Sequence, residues 1–554
     1  MHRLSQAGRV KQHSSHLQQI LPWYPSVVSA GTGAICLLIA RACFPYLAFD
    51  PDSAAYLFQA KLLAQGVLAA DAPPEFGLSS SPHIDIYNGL WFAKYPFGNS
   101  LFLAPGVLAG APSIMPAVAT CLTLLLFFAI VEELFDRRVA ALALLLAAFS
   151  PATLVMGSTL LSQPTSRLFI ALFFWSLLRA VARARSGGGM LYGAIAGLAL
   201  GYDFNTRPLV AVVCGFASLI LLAQAAVRTD APLRILRPTA VMAVTVLLMI
   251  GLFFAWNAHL TGDPLLLPYN ALQAADRMGF GLRGEGYAPL IAEFRVDFTP
   301  AIALNRLWQH TLPAVLFNLA GWGTYHPGML LPDPAHVFPA AAWLLLVPAA
   351  LIVVALLQTT GRVDNLFCAS VFLFTLISLF FQYSDHSTWG STPLNTSYYS
   401  EAILFGLTPL LARGMLAVYD IAKRVHRKLV ANVLVAACAA LFANAAFTDA
   451  VFVRVFKHWD PYYQLLPRLV DDAKLRNAVV FVPNSRDAPV GEYPFVPLDQ
   501  ASVVYFRTGP LPHWRLDTPD WRTAYRKYFS GRSAYLFDQM RLHRLDTSAT
   551  PPAD

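Results

Sequence analysis

Apolar runs of about twenty residues recur along nearly the whole chain, and no other feature limits its folding so severely. Backbone polar groups in lipid must be satisfied internally, so each run crosses a bilayer as a helix of about 20 residues rising 1.5 Å apiece. Stretches that meet this requirement lie near 25–47, 104–131, 138–157, 166–182, 190–206, 208–227, 239–257, 337–358, 366–382, 400–419 and 430–449. They predict an all-α polytopic membrane protein of about eleven transmembrane helices. Of the 554 residues, 56% are hydrophobic and only 13% charged, about half the charged share of soluble domains. A soluble enzyme and a disordered chain are thereby excluded. The run 311–331 is broken by Gly321, Gly323 and Pro327 and rich in aromatics, so it reads as interfacial or re-entrant.

Basic residues give an independent check, because Lys and Arg collect in short cytoplasmic loops. With the N-terminus inside, the inner segments carry Arg137 and Arg138, then Arg179, Arg183 and Arg185, then Arg228, Arg234 and Arg237, then Arg362, then Arg413, Lys423, Arg424, Arg427 and Lys428. The short outer loops 158–165 and 383–399 hold no Lys or Arg, and 203–207 holds Arg207 alone. The net charge of +8 is accordingly read as inner loops meeting anionic lipid, and no nucleic-acid partner is expected. The six cysteines lie in apolar stretches without CxxC or Cys/His spacing, as small membrane hydrophobes do.

The expected organisation is a cytoplasmic segment 1–24, a transmembrane bundle 25–450 with outer loops 49–99 and 258–336, and a soluble periplasmic region 451–554. The last loses membrane hydropathy and shows short β-type runs at Ala478–Val482, Ser502–Phe506 and Ala534–Phe537, interspersed with Pro-containing stretches and one helical pattern. A small α/β domain follows.

Two carboxylates, Asp50 and Asp52, stand at the outer mouth of the first span in FDPDSAAYLFQAKLLAQG. Acids so close to lipid are expensive unless solvated or used. They read either as a solvated helix start, with Asp52 or Ser53 capping a helix that begins near Ala54, or as a general base beside a low-dielectric surface. His83-Ile-Asp85 with the two aspartates offers hard metal ligands, but the spacing of no known loop site is present, and no metal or other cofactor is assigned.

Asp52-Ser-Ala-Ala-Tyr56 with Gln59-Ala-Lys61 and Gly66 resembles the acidic first-loop opening of the C-type membrane glycosyltransferases, the clan of protein O-mannosyltransferases and aminoarabinose transferases. Trp91-Phe-Ala-Lys-Tyr-Pro-Phe-Gly98 is similar to the family's KYPPG segment. Gly197-Leu-Ala-Leu-Gly201 with Arg207-Pro208, and Trp256-Asn-Ala-His-Leu-Thr-Gly-Asp-Pro264 with Pro268-Tyr269, follow in the same order. The resemblance covers roughly residues 25–420. It implies a bilayer enzyme of the bacterial inner membrane that moves a sugar, with inversion, from a polyprenyl-phosphate donor to a glycan, lipid or protein acceptor at the outer face. Asp52 matches the family's catalytic acid and takes the base role, with Asp50 as support. Lys94 and Arg207 become candidates for the departing lipid phosphate, though snorkelling to headgroups explains either cation more simply. Tyr56, Tyr95, Tyr269, Tyr398, Tyr399 and Glu401 are the candidate pocket residues; an interfacial aromatic belt accounts equally well for the tyrosines.

Three departures stand out. Ser53 replaces a common Glu, Phe97 replaces the second Pro of KYPPG, and Asn395-Thr-Ser-Tyr-Tyr-Ser-Glu401 lacks the Arg that often precedes the tyrosine. The rival reading is a transporter or flippase for a lipid-linked saccharide, which predicts charges near the bilayer midplane and often an internal repeat. A scaffold acting through its C-terminal region is a second rival.

Overall fold

The computed structural model describes residues 22–45, 51–72, 83–184, 188–227, 233–272, 278–284, 295–312, 342–382, 400–425, 465–483, 502–511, 516–518 and 520–547, with isolated positions at 315, 319 and between 429 and 454. Among these, seven helices are long and apolar enough to cross a membrane: Tyr24–Cys43 (α1), Ile114–Leu134, Gln163–Ala182, Pro208–Val227, Arg234–Thr261, Arg362–Phe380 and the run Ala402–Arg424. Their large residues face outward as well as inward. Val244, Leu247, Leu248 and Leu252, on the helix that ends at Thr261, are all more than half exposed, an apolar surface that only lipid can cover.

The other expected crossings are shorter or lie outside the described residues. The stretch 104–131 is divided: α3 (Gly98–Leu108) ends in a turn at Gly110, whose φ of +68° suits glycine, and α4 (Ile114–Leu134) follows. Residues 138–157 form α5 (Arg137–Ala148) and α6 (Pro151–Met156), broken where Pro151 cannot donate to the preceding turn. The next helices are α7 (Gln163–Ala182), α8 (Gly189–Phe204), α9 (Pro208–Val227) and α10 (Leu233–Thr261). After a short α11 (Pro268–Leu272) and α12 (Pro300–Arg306) come α13 (Ala342–Leu357), α14 (Arg362–Phe380), a π-helical turn (Ala402–Leu407) and α15 (Thr408–Arg424). Most of the runs 311–331 and 430–449 falls outside the described residues.

Helix packing uses small residues where lipid supplies no hydrophobic drive. Gly193, Gly197 and Gly201 recur every fourth position on α8, and a Cβ at any of them would collide with Pro238, Thr245 and Met242, or Met249 of α10. At the end of the bundle away from the 83–95 hairpin, basic side chains meet acids. Arg138 bridges Asp420 at 3.1 Å, and Arg179 reaches Glu133 at 3.3 Å. The charge asymmetry read from sequence thus gathers at one end of the bundle.

In the first loop, α2 (Pro51–Ala64) begins with a proline and an acid, both suited to a helix N-terminus. It stops at Gly66, whose φ is +76° and whose N–H donates back to the Leu63 carbonyl. Strand β1 (Ala70–Asp71) then joins a hairpin of β2 (Ile84–Tyr87) and β3 (Leu90–Ala93). The turn is Asn88-Gly89, both at positive φ, as a two-residue hairpin loop of the primed type requires. That turn fixes the register, pairing Tyr87 with Leu90 and Ile84 with Ala93.

A small two-stranded sheet, β4 (Gly281–Gly284) and β5 (Arg295–Phe298), lies between α11 and α12. The C-terminal region is α/β as expected. It contains α16 (Leu465–Asp472), β6 (Ala478–Pro483), β7 (Val503–Leu511), β8 (Leu516–Thr518), α17 (Trp521–Ala524), β9 (Ser533–Asp538) and β10 (Arg541–Arg544). The strand order is β10-β9-β6-β7-β8, with β6 parallel to both neighbours. Central β6 is buried on both faces: Val479 and Phe481 pack with Phe506 and Phe529, Val480 and Val482 with Leu466 and Val470 of α16. This explains why its sequence is an unbroken apolar run rather than an alternation.

Candidate active site

The hairpin register brings distant residues over the head of α2. Phe58 and Trp91 pack at a tilt with ring centroids 4.7 Å apart, and Ala55, Leu62, Ile84 and Ala93 complete the buried contact. Burial of each large apolar side chain contributes about 1.5–3 kcal/mol. Gln59 adds a polar tie: its Oε1 accepts from Ala93 N at 3.2 Å, and its Nε2 donates to the Leu68 carbonyl at 2.7 Å. One step beyond the last paired residues, Lys94 N donates to the His83 carbonyl at 3.0 Å. His83, Lys94 and Tyr95 therefore leave the open end of the hairpin together, beside the first turn of α2.

Asp52 projects from that turn. It does not serve as a simple helix cap: one oxygen, Oδ1, lies 3.1 Å from His83 Nε2 and also accepts from the Tyr95 hydroxyl. The side chain remains 43% exposed, so the carboxylate is held from one side and open on the other. Burial raises its pKa, but the charge and hydrogen bond of His83, the Tyr95 hydroxyl and the charge of Lys94 more than offset this and bring it down to about 2. Tyr95 moves the opposite way; burial and the adjacent Asp52 charge push its hydroxyl well above the ordinary tyrosine value.

Three tyrosines frame the cation. Tyr56 and Tyr95 stack at 4.7 Å, and Tyr269 lies 6.0 Å from Tyr95. Lys94 Nζ sits 4.2 Å from the centre of the Tyr269 ring and 5.3 Å from that of Tyr95, within cation–π range. Tyr269 owes its position to the Thr261–Pro268 turn. There Asn257 Nδ2 donates to the Pro264 carbonyl at 3.2 Å, and Asp263 Oδ1 accepts from Leu265 N at 2.8 Å.

The structure thus brings together Asp52, Tyr56, Lys94, Tyr95 and Tyr269. Lys94 is buried under the rings rather than snorkelling to headgroups. Arg207 and Glu401 belong to a neighbouring cluster with Arg167 and Asp203, whose charges act on one another. Gly98 joins the two regions: its N–H donates to the Asn205 carbonyl at 2.7 Å, and its carbonyl accepts from the Tyr202 hydroxyl at 2.8 Å. A Cβ there would strike Thr206 and the Asn205 backbone, which gives the glycine of the KYPFG segment a physical reason. Asp50, Tyr398 and Tyr399 lie outside the described residues.

The sequence offers His83 only as a metal ligand; in the structure its Nε2 is turned to Asp52. Among the described residues no three or more His, Cys, Asp or Glu side chains converge. Arg167 and Asp203 belong to none of the motifs, although an ionisable residue inside an apolar run is by itself a signal of use.

Residues 97–256 match the family of dolichyl-phosphate-mannose-protein mannosyltransferases. Among solved structures, ArnT from Cupriavidus metallidurans bound to undecaprenyl phosphate is similar at a TM-score of 0.50, with 14% identity and 92% of each chain covered. The oligosaccharyltransferase of Archaeoglobus fulgidus in its apo form matches at a TM-score of 0.48 and 12% identity, over 83% of this chain. The chain spans only 63% of that protein's length. No curated protein sequence matches. At such identities the likeness concerns the fold, which is that of the C-type membrane glycosyltransferases, the family the first-loop motifs resemble.

Proposed function

We propose that this multi-pass membrane protein is a glycosyltransferase that moves a sugar from a polyprenyl-phosphate donor to an acceptor hydroxyl or amine, with inversion. The observation that carries the reading is the clamped, half-open Asp52 carboxylate set beside Lys94 at one end of the bundle. With Oδ1 engaged by His83 and Tyr95, Oδ2 is the atom left to receive the acceptor's proton. A new bond forms from the acceptor to the anomeric carbon as the bond from that carbon to the phosphate oxygen breaks. The bonding pair leaves on the phosphate. An oxocarbenium-like transition state is expected for such chemistry. A carboxylate whose pKa is about 2 is a weak base before the reaction. It acts by orienting the acceptor and takes the proton late, as the acceptor acquires positive charge.

The departing polyprenyl phosphate gains negative charge, and a cation placed to meet it lowers the barrier. Lys94, with Arg207 from the adjoining cluster, fills that role in this reading. The reaction side is the outer face of a bacterial inner membrane, with the N-terminus cytoplasmic and the C-terminal α/β region periplasmic; the clustering of basic segments at the opposite end supports this orientation. The acceptor is a glycan, lipid or protein.

The test is purified protein in nanodiscs with radiolabelled undecaprenyl-phosphate sugars, wild type beside Asp52→Asn. Donor consumption by the wild type alone supports the assignment. Equal consumption by the variant removes Asp52 from the mechanism, and donor binding without consumption by either protein favours a lipid-saccharide transporter.

A further inference from the structure

Beside the Asp52 loop, four ionisable side chains from separate stretches of sequence face one another. Arg167 lies near the start of α7, Asp203 in the last turn of α8, Arg207 just before α9, and Glu401 at the entry to the π-helical turn. Arg167, Asp203 and Glu401 are at most 3% exposed; Arg207 is half-buried. Glu401 acts electrostatically on Arg167 and Asp203, and so does Arg207. Even so, these charges do not touch. Both oxygens of Glu401 are buried with no hydrogen-bond partner among the described residues, and the buried Asp203 carboxyl meets the Ser166 hydroxyl but no cation. Arg167 Nε likewise has none among the described residues, while Arg167 Nη2 donates to the Ala152 carbonyl at 3.1 Å.

Burying a carboxylate without a cation beside it is costly, so charges held within range of one another but unpaired leave room for a ligand between them. Two guanidiniums and two carboxylates balance. A free cation meets the arginines, a free anion meets the acids, and neither is matched by the whole set. A neutral polyhydroxyl matches it, because each hydroxyl donates to a carboxylate and accepts from a guanidinium, and neighbouring hydroxyls engage one carboxylate in pairs.

We infer that Arg167, Asp203, Glu401 and Ser166 form the subsite that holds the donor's sugar ring, with Arg207 at its lip toward the phosphate. The inference rests on the transferase reading above. Position supports it. Asn99 Oδ1 accepts from Thr165 Oγ1 at 2.7 Å, and Ser100 Oγ donates to the Tyr56 carbonyl at 3.1 Å. Two consecutive residues thus link the head of α7, beside Ser166, to the Asp52 site.

The test measures binding of bare undecaprenyl phosphate and of undecaprenyl-phosphate-linked mannose, glucose, galactose and aminoarabinose to the full chain in nanodiscs. The tightest sugar-bearing ligand is then compared across Asp203→Asn, Glu401→Gln and wild type. The subsite predicts a loss of about tenfold or more for the sugar-bearing ligand in either variant, the scale of a hydrogen bond to a charged group, with bare carrier binding within about twofold. Ser166→Ala changes no charge and should produce the same selective loss, smaller in size. Equal losses for both ligands, no loss, or a wild type that prefers no sugar-bearing ligand over bare carrier would overturn the subsite. If the selective loss appears but no sugar is ever transferred, the transferase reading fails and the subsite stands.

Discussion

The first-loop site and the Arg167–Asp203–Glu401 cluster lie at one end of the bundle yet are built on opposite principles. Asp52 sits on a helix, but its partners leave the open end of a tight hairpin, and its Oδ1 is engaged twice. The cluster is carried by membrane helices, and among the described residues no cation touches its carboxylates, Asp203 meeting only the Ser166 hydroxyl and Glu401 nothing. A carboxylate that must perform chemistry is pre-oriented by its neighbours and left open on one side. Groups that recognise a polar ligand are left unsatisfied, because the ligand is to complete them.

The largest effect should come from breaking the first member of this pair. Asp52→Asn keeps the shape and the hydrogen bond from Tyr95 but removes the proton acceptor. Turnover should fall by about 10³-fold, within the usual range for a positioned base, with donor affinity nearly intact. Cluster variants should do the reverse, weakening donor binding while saturating turnover changes little. Steady-state kinetics on both sets separates the two; a matching pattern would mean the regions act as one.

Gly98→Val attacks the joint between them. The added side chain meets Thr206 and the Asn205 backbone, and overpacking of this kind costs about 1–3 kcal/mol. Both turnover and donor affinity should drop, by about tenfold or more, together with a lower melting temperature. Intact kinetics in this variant would show that the two regions need no fixed relation.

Tyr95→Phe sharpens the description of the clamp. It removes one donor to Oδ1 and leaves the Tyr56 stack and the Lys94 contact possible, so turnover should fall by about tenfold, the worth of one hydrogen bond to a charged group. A loss as large as that of Asp52→Asn would instead assign the hydroxyl a direct part in proton transfer.

Much of this was legible in the chain itself, and the reason differs by region. Spans announce themselves by composition over about twenty residues. The first-loop motifs lie close in sequence, so Asp52, Tyr56, Lys94 and Tyr95 could be named together. The Asn88-Gly89 turn is also readable in the sequence, and counting outward from it sets His83 opposite Lys94, a placement that metal-ligand chemistry alone does not reveal. Asp203 and Arg167 are different. Each is one charge in an apolar run, and only the packing of α7, α8 and the segment entering α15 shows that they face one another. The expected single crossing at 104–131 likewise hid a turn at Gly110, because apolar content continues through it.

The smallest effect concerns pH and tests the clamp without any substrate. Asp52 has a pKa of about 2 in the folded protein, against about 3.9 for an ordinary aspartate. The folded state therefore binds this proton more weakly than the unfolded chain. Its contribution to stability is fully present above about pH 4 and is lost as the pH falls from there toward 2. Because the side chain is 43% exposed, solvent screens the interaction and the contribution is modest. Melting curves in detergent from pH 5 to 2.5 should show the wild type losing slightly more stability than Asp52→Asn, which has no proton to bind. His83→Ala removes the charge and the hydrogen bond that together hold the carboxylate down, so that variant should lose less stability than the wild type over this range and approach Asp52→Asn. If wild type and Asp52→Asn lose stability in parallel across the whole range, His83 and Tyr95 do not hold Asp52 in its charged form, and the contrast between the clamped Asp52 carboxylate and the unpaired charges of the cluster disappears with it.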